Sequence, residues 1–201
     1  MPYLRICLKT VAKGRPVKLA PRNFAKPAKP KEPKVTEAKP LNVLFLCTHN
    51  SARSILAEAL LNHLGQGKFK AFSAGSSPRD NQKPNPMALA TLEKAGISTD
   101  GLNSKSWDVF ATPDAPHMDL VITVCDNAAG EVCPYWPGQP ATAHWGYPDP
   151  SEVVGTDEQK LDAFKQTLHQ IKRRLDIFTS LPLTSLSKMA LENTARELAK
   201  K

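Results

Sequence analysis

Leu41-Asn42-Val43-Leu44-Phe45-Leu46 is a near-continuous apolar run of strand length. Eight small and polar residues later a helical period begins. Ile55, Ala59, Leu60 and Leu64 fall on one face, which directs Glu58 and Asn62 to water. Phe69 to Gly75 reads as a second strand, ending in a loop that holds Pro78, Pro84 and Pro86. Helix formers from Pro86 to Ala95, apolar at Met87, Ala90, Leu92 and Ala95, predict a second helix stopped by Gly96. Ser104 to Phe110 suits a short helical turn. Leu120 to Val124 is again apolar throughout, the pattern of a central parallel strand covered on both faces. Ala141 to Trp145 predicts a shorter strand. Leu161, Phe164, Leu168, Ile171, Leu175 and Phe178 mark a long amphipathic helix over Asp157 to Phe178. A last helix, Ser185 to Leu198, has Thr184 or Ser185 as cap and Leu186, Met189, Ala190 and Leu198 as its inner edge.

Strands alternating with helices predict an α/β fold. We expect a single domain, a four-stranded parallel open sheet with helices on both faces and right-handed crossovers. Such sheets carry their sites at the carboxyl ends of strands. Cys47 and Cys125 each end an apolar strand, so one fold rule brings both to the same rim.

Charge redraws the outline of the chain. The net charge of +8 would suggest nucleic acid or a membrane surface, but it is unevenly spread. Residues 1–40 hold eleven Lys/Arg against Glu32 and Glu37, whereas residues 41–201 hold sixteen against seventeen Asp/Glu, a net of −1. The first segment also carries seven of the eighteen prolines and little to bury. We therefore expect a disordered basic tail over 1–40, an α/β domain over 41–180 and a helical extension over 181–201. The domain calls for no specific nucleic acid. No apolar run suits a secretory leader or a membrane span, so a cytoplasmic monomer is expected. Four cysteines without a leader point to a reducing compartment, where thiols serve chemistry or metal more often than staples. Cys7, in the tail, is read as incidental.

The chemistry centres on Cys47-Thr48-His49-Asn50-Ser51-Ala52-Arg53-Ser54. A cysteine, five residues, then arginine and serine at a strand-to-helix turn suits a tetrahedral oxyanion. Loop amides and the helix N-terminus converge on one point, and arginine adds a planar two-pronged donor. The same field should hold Cys47 as a thiolate, the form that attacks. Cys125 and Cys133, with seven residues between them, are open to three readings: a zinc pair using His144, two inert buried thiols, or a redox pair with Gly130 as mobile flank. An anion-binding Cys47 at the same edge favours the redox pair. Asp149, stiffened by Pro148 and Pro150, is placed to protonate a departing oxygen or simply to make a turn. Ser54 either caps the helix or donates to the Cys47 sulfur. His49 is read as an exposed loop residue without chemistry, and His63, His117 and His169 as surface residues.

The loop Cys47 to Ser54, the strand end Phe72-Ser73-Ala74-Gly75, the pair Cys125 and Cys133-Pro134, and His144-Trp145-Gly146 leading to Asp149-Pro150 together resemble arsenate reductases of the low-molecular-weight tyrosine phosphatase superfamily. The resemblance runs from about Leu41 to Thr179. It implies arsenate as substrate, with phosphate and sulfate as competing anions, held by residues 48–54. It implies Cys47 as nucleophile, Asp149 as acid, and a Cys47/Cys125/Cys133 disulfide relay. It implies no bound cofactor but an external thiol reductant. Thioredoxin-linked members have six residues between the second and third cysteines where this chain has seven, so glutathione with glutaredoxin is the other reductant class. Some relatives bind potassium at positions matching Asn50, Glu58, Ser73 and an aspartate. Trp107 stands at that last position with Asp108 beside it, so no metal site is expected. The alternative function is a phosphatase for tyrosine phosphate or small phosphomonoesters. Such enzymes place aromatic residues after the catalytic aspartate, and here Pro150-Ser151-Glu152 follows.

Overall fold

The structure, a computed structural model, describes residues 39–130, 136–182 and 187–200. Cys133, Thr184, Ser185, Leu186 and nearly all of the 1–40 tail, Cys7 included, lie outside the described residues. Four parallel strands form the sheet: β1 (Leu41–Cys47), β2 (Phe69–Gly75), β3 (Leu120–Thr123) and β4 (Ala141–His144), in the order β2-β1-β3-β4. Cys47 pairs with Gly75, Leu46 with Thr123, and Thr123 with His144, so the strand ends line up along one edge. The order reverses between β1 and β3, the switch point where open α/β sheets bind ligands.

Both apolar runs are the central strands, buried on both faces. On one face Val43, Phe45, Leu120 and Ile122 pack under α1 (Arg53–Leu64), α2 (Pro86–Lys94), α4 (Asp157–Ser180) and α5 (Lys188–Ala199). On the other, Leu44, Leu46 and Val121 pack under Phe110, Met118 and Trp136, with a 3-10 helix at Trp107–Phe110. The short α3 (Asp126–Gly130) follows Cys125 directly. The fold is therefore the expected α/β single sheet with helical cover.

Local signals explain the element ends. α2 starts at Pro86 after Asn85, whose side chain accepts from the Met87 N–H at 2.8 Å. It ends where Gly96 takes φ +71 and the Ile97 N–H returns to the Leu92 carbonyl at 3.0 Å. α4 opens with a Thr156–Gln159 capping box, and Phe164, Leu168, Ile171, Leu175 and Phe178 all point inward. α5 begins later than expected, at Lys188 behind a Ser187 cap. Its inner edge is Leu191, Ala195 and Leu198, while Met189 is 73% exposed. Two residues advance a helix by about 200°, so a helix that buries Leu191 turns Met189 to solvent. The Trp145 indole N–H donates to the Ala195 carbonyl at 2.8 Å, tying α5 to the strand that leads into Asp149. Among the described residues no helix is long and apolar enough to cross a membrane.

Candidate active site

The loop between β1 and α1 is held from below by Asn50, which takes a left-handed φ of +51 and is fully buried. Its side-chain carbonyl accepts from the Lys105 N–H at 2.9 Å, which fixes the amide nitrogen toward two hydroxyls. That nitrogen donates to Ser54 Oγ at 2.9 Å and to Ser73 Oγ at 2.8 Å. The Asn50 carbonyl takes the Ser104 hydroxyl at 2.6 Å. From the side, Gly75 at the end of β2 presses so closely that a Cβ there would lie 2.7 Å from the Thr48 carbonyl oxygen. The Ser76 and Ser77 N–H groups donate to the Cys47 and Thr48 carbonyls at 3.0 and 2.8 Å. These bonds and this close approach fix the shape of the loop.

Cys47 is 4% exposed, and its sulfur receives the Asn50 N–H at 3.2 Å and faces Ser54 Oγ at 3.0 Å. Ser54 is fully buried and its oxygen already accepts from Asn50, so its proton has only the sulfur to serve. Ser54 is thus a donor to Cys47. It does not cap α1: Ala52 stands at that position, with no side-chain bond. Opposing forces act on this thiol: burial pushes it up, the Ser54 hydroxyl pulls it down, the neighbouring Cys125 pushes it up, and the Asn50 and Ser54 amides pull it down.

Arg53 points its guanidinium across the site. Its Nη1 donates to the Tyr147 carbonyl at 3.0 Å and its Nη2 to Asp149 Oδ2 at 2.5 Å. The other Asp149 oxygen accepts from the Ser151 N–H and hydroxyl at 3.0 and 2.7 Å, so the turn role and the rim position coexist. Tyr147 is fixed by the Arg174 guanidinium, 4.7 Å over its ring, which links α4 to the site.

Cys125 is 2% exposed, and both it and Cys47 are free thiols. The Val124 N–H donates to the Leu46 carbonyl at 2.8 Å, so the two cysteines leave the sheet side by side. Thr48 Oγ1 lies 3.5 Å from the Cys125 sulfur. Cys47, Arg53, Cys125 and Asp149 all line one depression of about 640 Å³. His144, considered as a zinc ligand, instead contacts Thr123 Oγ1 and Asp126 Oδ1, at 2.8 and 3.0 Å. His49 is half-buried, and its Nδ1 donates to the Ser77 carbonyl at 2.8 Å.

Glu58 is the clearest departure from the pattern reading. It is 8% exposed, not solvated, and accepts from the Ser73 hydroxyl at 2.5 Å. Burial raises its carboxyl, while Ser73 and the Lys105 charge lower it; burial likewise lowers the Lys105 ammonium and Glu58 raises it. An amphipathic wheel cannot register that a second polar network, from the loop, crosses the helix. Asn62 is exposed, but its amide pairs with the N–H and carbonyl of Ala71 on the edge strand β2, at 2.8 and 3.1 Å. Asn50, Ser73 and Glu58, three of the positions matched to an ion site above, are joined here in one chain of hydrogen bonds. Trp107 offers an indole that packs on Trp136 at 6.2 Å, and Asp108 is engaged by Ser106 at 2.7 Å. Arg79 and Gln82 also wall the depression, and nothing in their proline-rich loop marks them in sequence.

Comparison with known proteins agrees with this geometry. An arsenate reductase of Bacillus licheniformis is 37% identical over 138 residues, which span 68% of this chain and 93% of that protein. A glutaredoxin arsenate reductase of Synechocystis is 31% identical over 134 residues, 67% of this chain and 92% of that one. A solved structure of an arsenate reductase in the phosphate binding state aligns with a TM-score of 0.53 at 29% identity, covering 70% of this chain and 97% of the other. Residues 42–191 match the low molecular weight phosphotyrosine protein phosphatase family. By that match and by relatives that are arsenate reductases over nearly their whole length, the chain belongs to this family.

Proposed function

We propose that this protein reduces arsenate to arsenite with thiol electrons and so contributes to arsenic detoxification. Arsenate sits in the 47–54 loop, on the backbone amides of residues 48–54 and the Arg53 guanidinium. As the anion takes Arg53, Asp149 leaves its ion pair, becomes free to take up a proton from solvent, and can then pass it to the leaving oxygen. The Cys47 proton passes to the bound oxyanion, which offsets the burial that pushes the thiol up. Sulfur attacks arsenic, water leaves, and a sulfur–arsenic bond remains. The Cys125 thiolate then attacks Cys47. A sulfur–sulfur bond forms, the sulfur–arsenic bond breaks, and its electron pair stays on arsenic, which departs as arsenite. Cys133 attacks Cys125 in turn, frees Cys47 and leaves a Cys125–Cys133 disulfide for an external thiol system, thioredoxin or glutathione with glutaredoxin.

The observation that carries this reading is the pair of free thiols at the ends of adjacent strands on one depression. Phosphoester hydrolysis at Cys47 has no use for Cys125. The second reading, a phosphatase, draws on the same loop and on the family, and the Pro150–Glu152 turn gives no aromatic wall for a phenyl ring. The test is arsenate-dependent NADPH oxidation, coupled through thioredoxin and its reductase and separately through glutathione and glutaredoxin. Cys47→Ser and Cys125→Ser should each abolish turnover in both systems. Cys133→Ser should be silent only where a small thiol resolves Cys125. Undiminished arsenate turnover in Cys125→Ser would end the relay.

A further inference from the structure

One polar constellation at the same rim takes no part in the chemistry above. Thr123 ends β3, Asp126 opens α3 directly after Cys125, and His144 ends β4. The His144 Nε2 lies 3.0 Å from Asp126 Oδ1, and its Nδ1 lies 2.8 Å from Thr123 Oγ1. The threonine hydroxyl can serve the ring in either charge state. It donates to Nδ1 when the ring is neutral. When the ring is charged it accepts from Nδ1 and turns its own proton to the Ala143 carbonyl, 3.5 Å away. Either way Nε2–H donates to Asp126. Gly146 makes the room: a Cβ there would stand 2.9 Å from Asp126 Oδ1 and 3.1 Å from His144 Nε2.

The contact adds little to the stability of the whole fold, since the Asp126 side chain is 91% exposed and such pairs contribute modestly. Its consequence is positional. α3 has five residues, too few to hold a helix unaided, and is fixed from inside by the buried Ala128. A tie at its first residue therefore decides where Cys125, one residue earlier, presents its sulfur.

We propose that His144 is a positioning residue for Cys125: through Asp126 it anchors the start of α3 and keeps the second thiol buried against Thr48, facing Cys47. The effect on turnover rests on the relay proposed above; the effect on the thiol does not. The test is alkylation of the full-length reduced protein by iodoacetamide without arsenate or reductant, followed peptide by peptide. His144→Ala should speed Cys125 alkylation about fivefold, the loss of one modest hydrogen bond, and leave Cys47 unchanged. His144→Gln, whose amide can still reach Asp126, should stay close to wild type. A second pair guards against misfolding and against charge: Asp126→Ala and Asp126→Asn both remove the negative charge, but only the first removes the acceptor, so it alone should expose Cys125 further. Equal rates within either pair overturn the proposal. In the coupled assay His144→Ala should lower kcat for arsenate with KM unchanged. Alkylation shifts in a protein without arsenate turnover would instead remove the reductase reading and leave the positioning role standing.

Discussion

Ser54 has one proton, and the buried Asn50 amide already occupies its oxygen, so the serine hydroxyl is aimed at the Cys47 sulfur by elimination. Among the forces on that thiol, burial pushes up and Ser54 is the largest that pulls down. Ser54→Ala should therefore raise the Cys47 thiol further and slow its alkylation at neutral pH about tenfold, the scale of one hydrogen bond to a charged group. Phosphate should still bind. A rate unchanged across the pH range would show that Ser54 does not serve the sulfur. Glu58 gives the opposite kind of test. Its folded-state carboxyl is raised by burial, so this group favours the native state below the ordinary glutamate range and loses that contribution as pH rises through its folded value. Glu58→Gln should flatten that segment of the stability curve, seen as a thermal midpoint that falls less than the wild type's from pH 4 to 7. That loop residues and Asp149 share one depression with Cys47 could be anticipated from sequence, because their chemistry fixes their type. The burial of Glu58 could not, because only the tertiary approach of Ser73 and Lys105 makes its place on α1 an interior one.

At the scale of elements, the two central strands announced themselves by unbroken apolar runs, and α4 by six apolar positions at spacings of three and four. Where the pattern failed, the missing information was phase or partner. The start of α5 depended on which serine caps it, and its phase, set by burial of Leu191, turns Met189 outward. Neither does local sequence show that Ser104 and Lys105, expected in a helical turn, instead brace Asn50 from across the sheet edge. The packing of β2 against the loop is likewise tertiary, yet one residue records it. Gly75 leaves no room for a Cβ beside Thr48 and Asn50. Gly75→Ala should push the loop off its anion-binding geometry while the sheet persists. We expect a loss of about tenfold or more in phosphate affinity by calorimetry, since misplacement by a fraction of an ångström disables preorganised donors. An alanine variant that binds phosphate as tightly as wild type would show that the close approach does not set the loop.

Along the whole sequence the net positive charge falls outside the stretch that carries the chemistry. The domain from residue 41 onward has a net charge of −1, and the strands, the braces on the 47–54 loop and the ties of Arg53 and Asp149 all fall within it. The basic segment of residues 1–40 supplies +9. Two readings of that segment diverge on removal. If activity belongs to the sheet edge alone, a chain beginning at residue 41 should keep kcat and KM for arsenate within about twofold, as for changes remote from core and site. It should also lose the cation-exchange retention expected of the full chain, net +8, near neutral pH. If the segment instead docks the protein on a partner and the anion loop only senses, turnover by purified components should be negligible in both chains, and removal should abolish the partner interaction. The decisive measurement is the coupled assay run side by side on both lengths at low and at physiological salt. Salt screens a long-range pull of the basic segment on arsenate but leaves the short contacts of Arg53 and the loop amides largely intact. A KM gap between the two chains that opens only at low salt would therefore assign the segment to steering, and one that persists at physiological salt would place part of the binding site before residue 41.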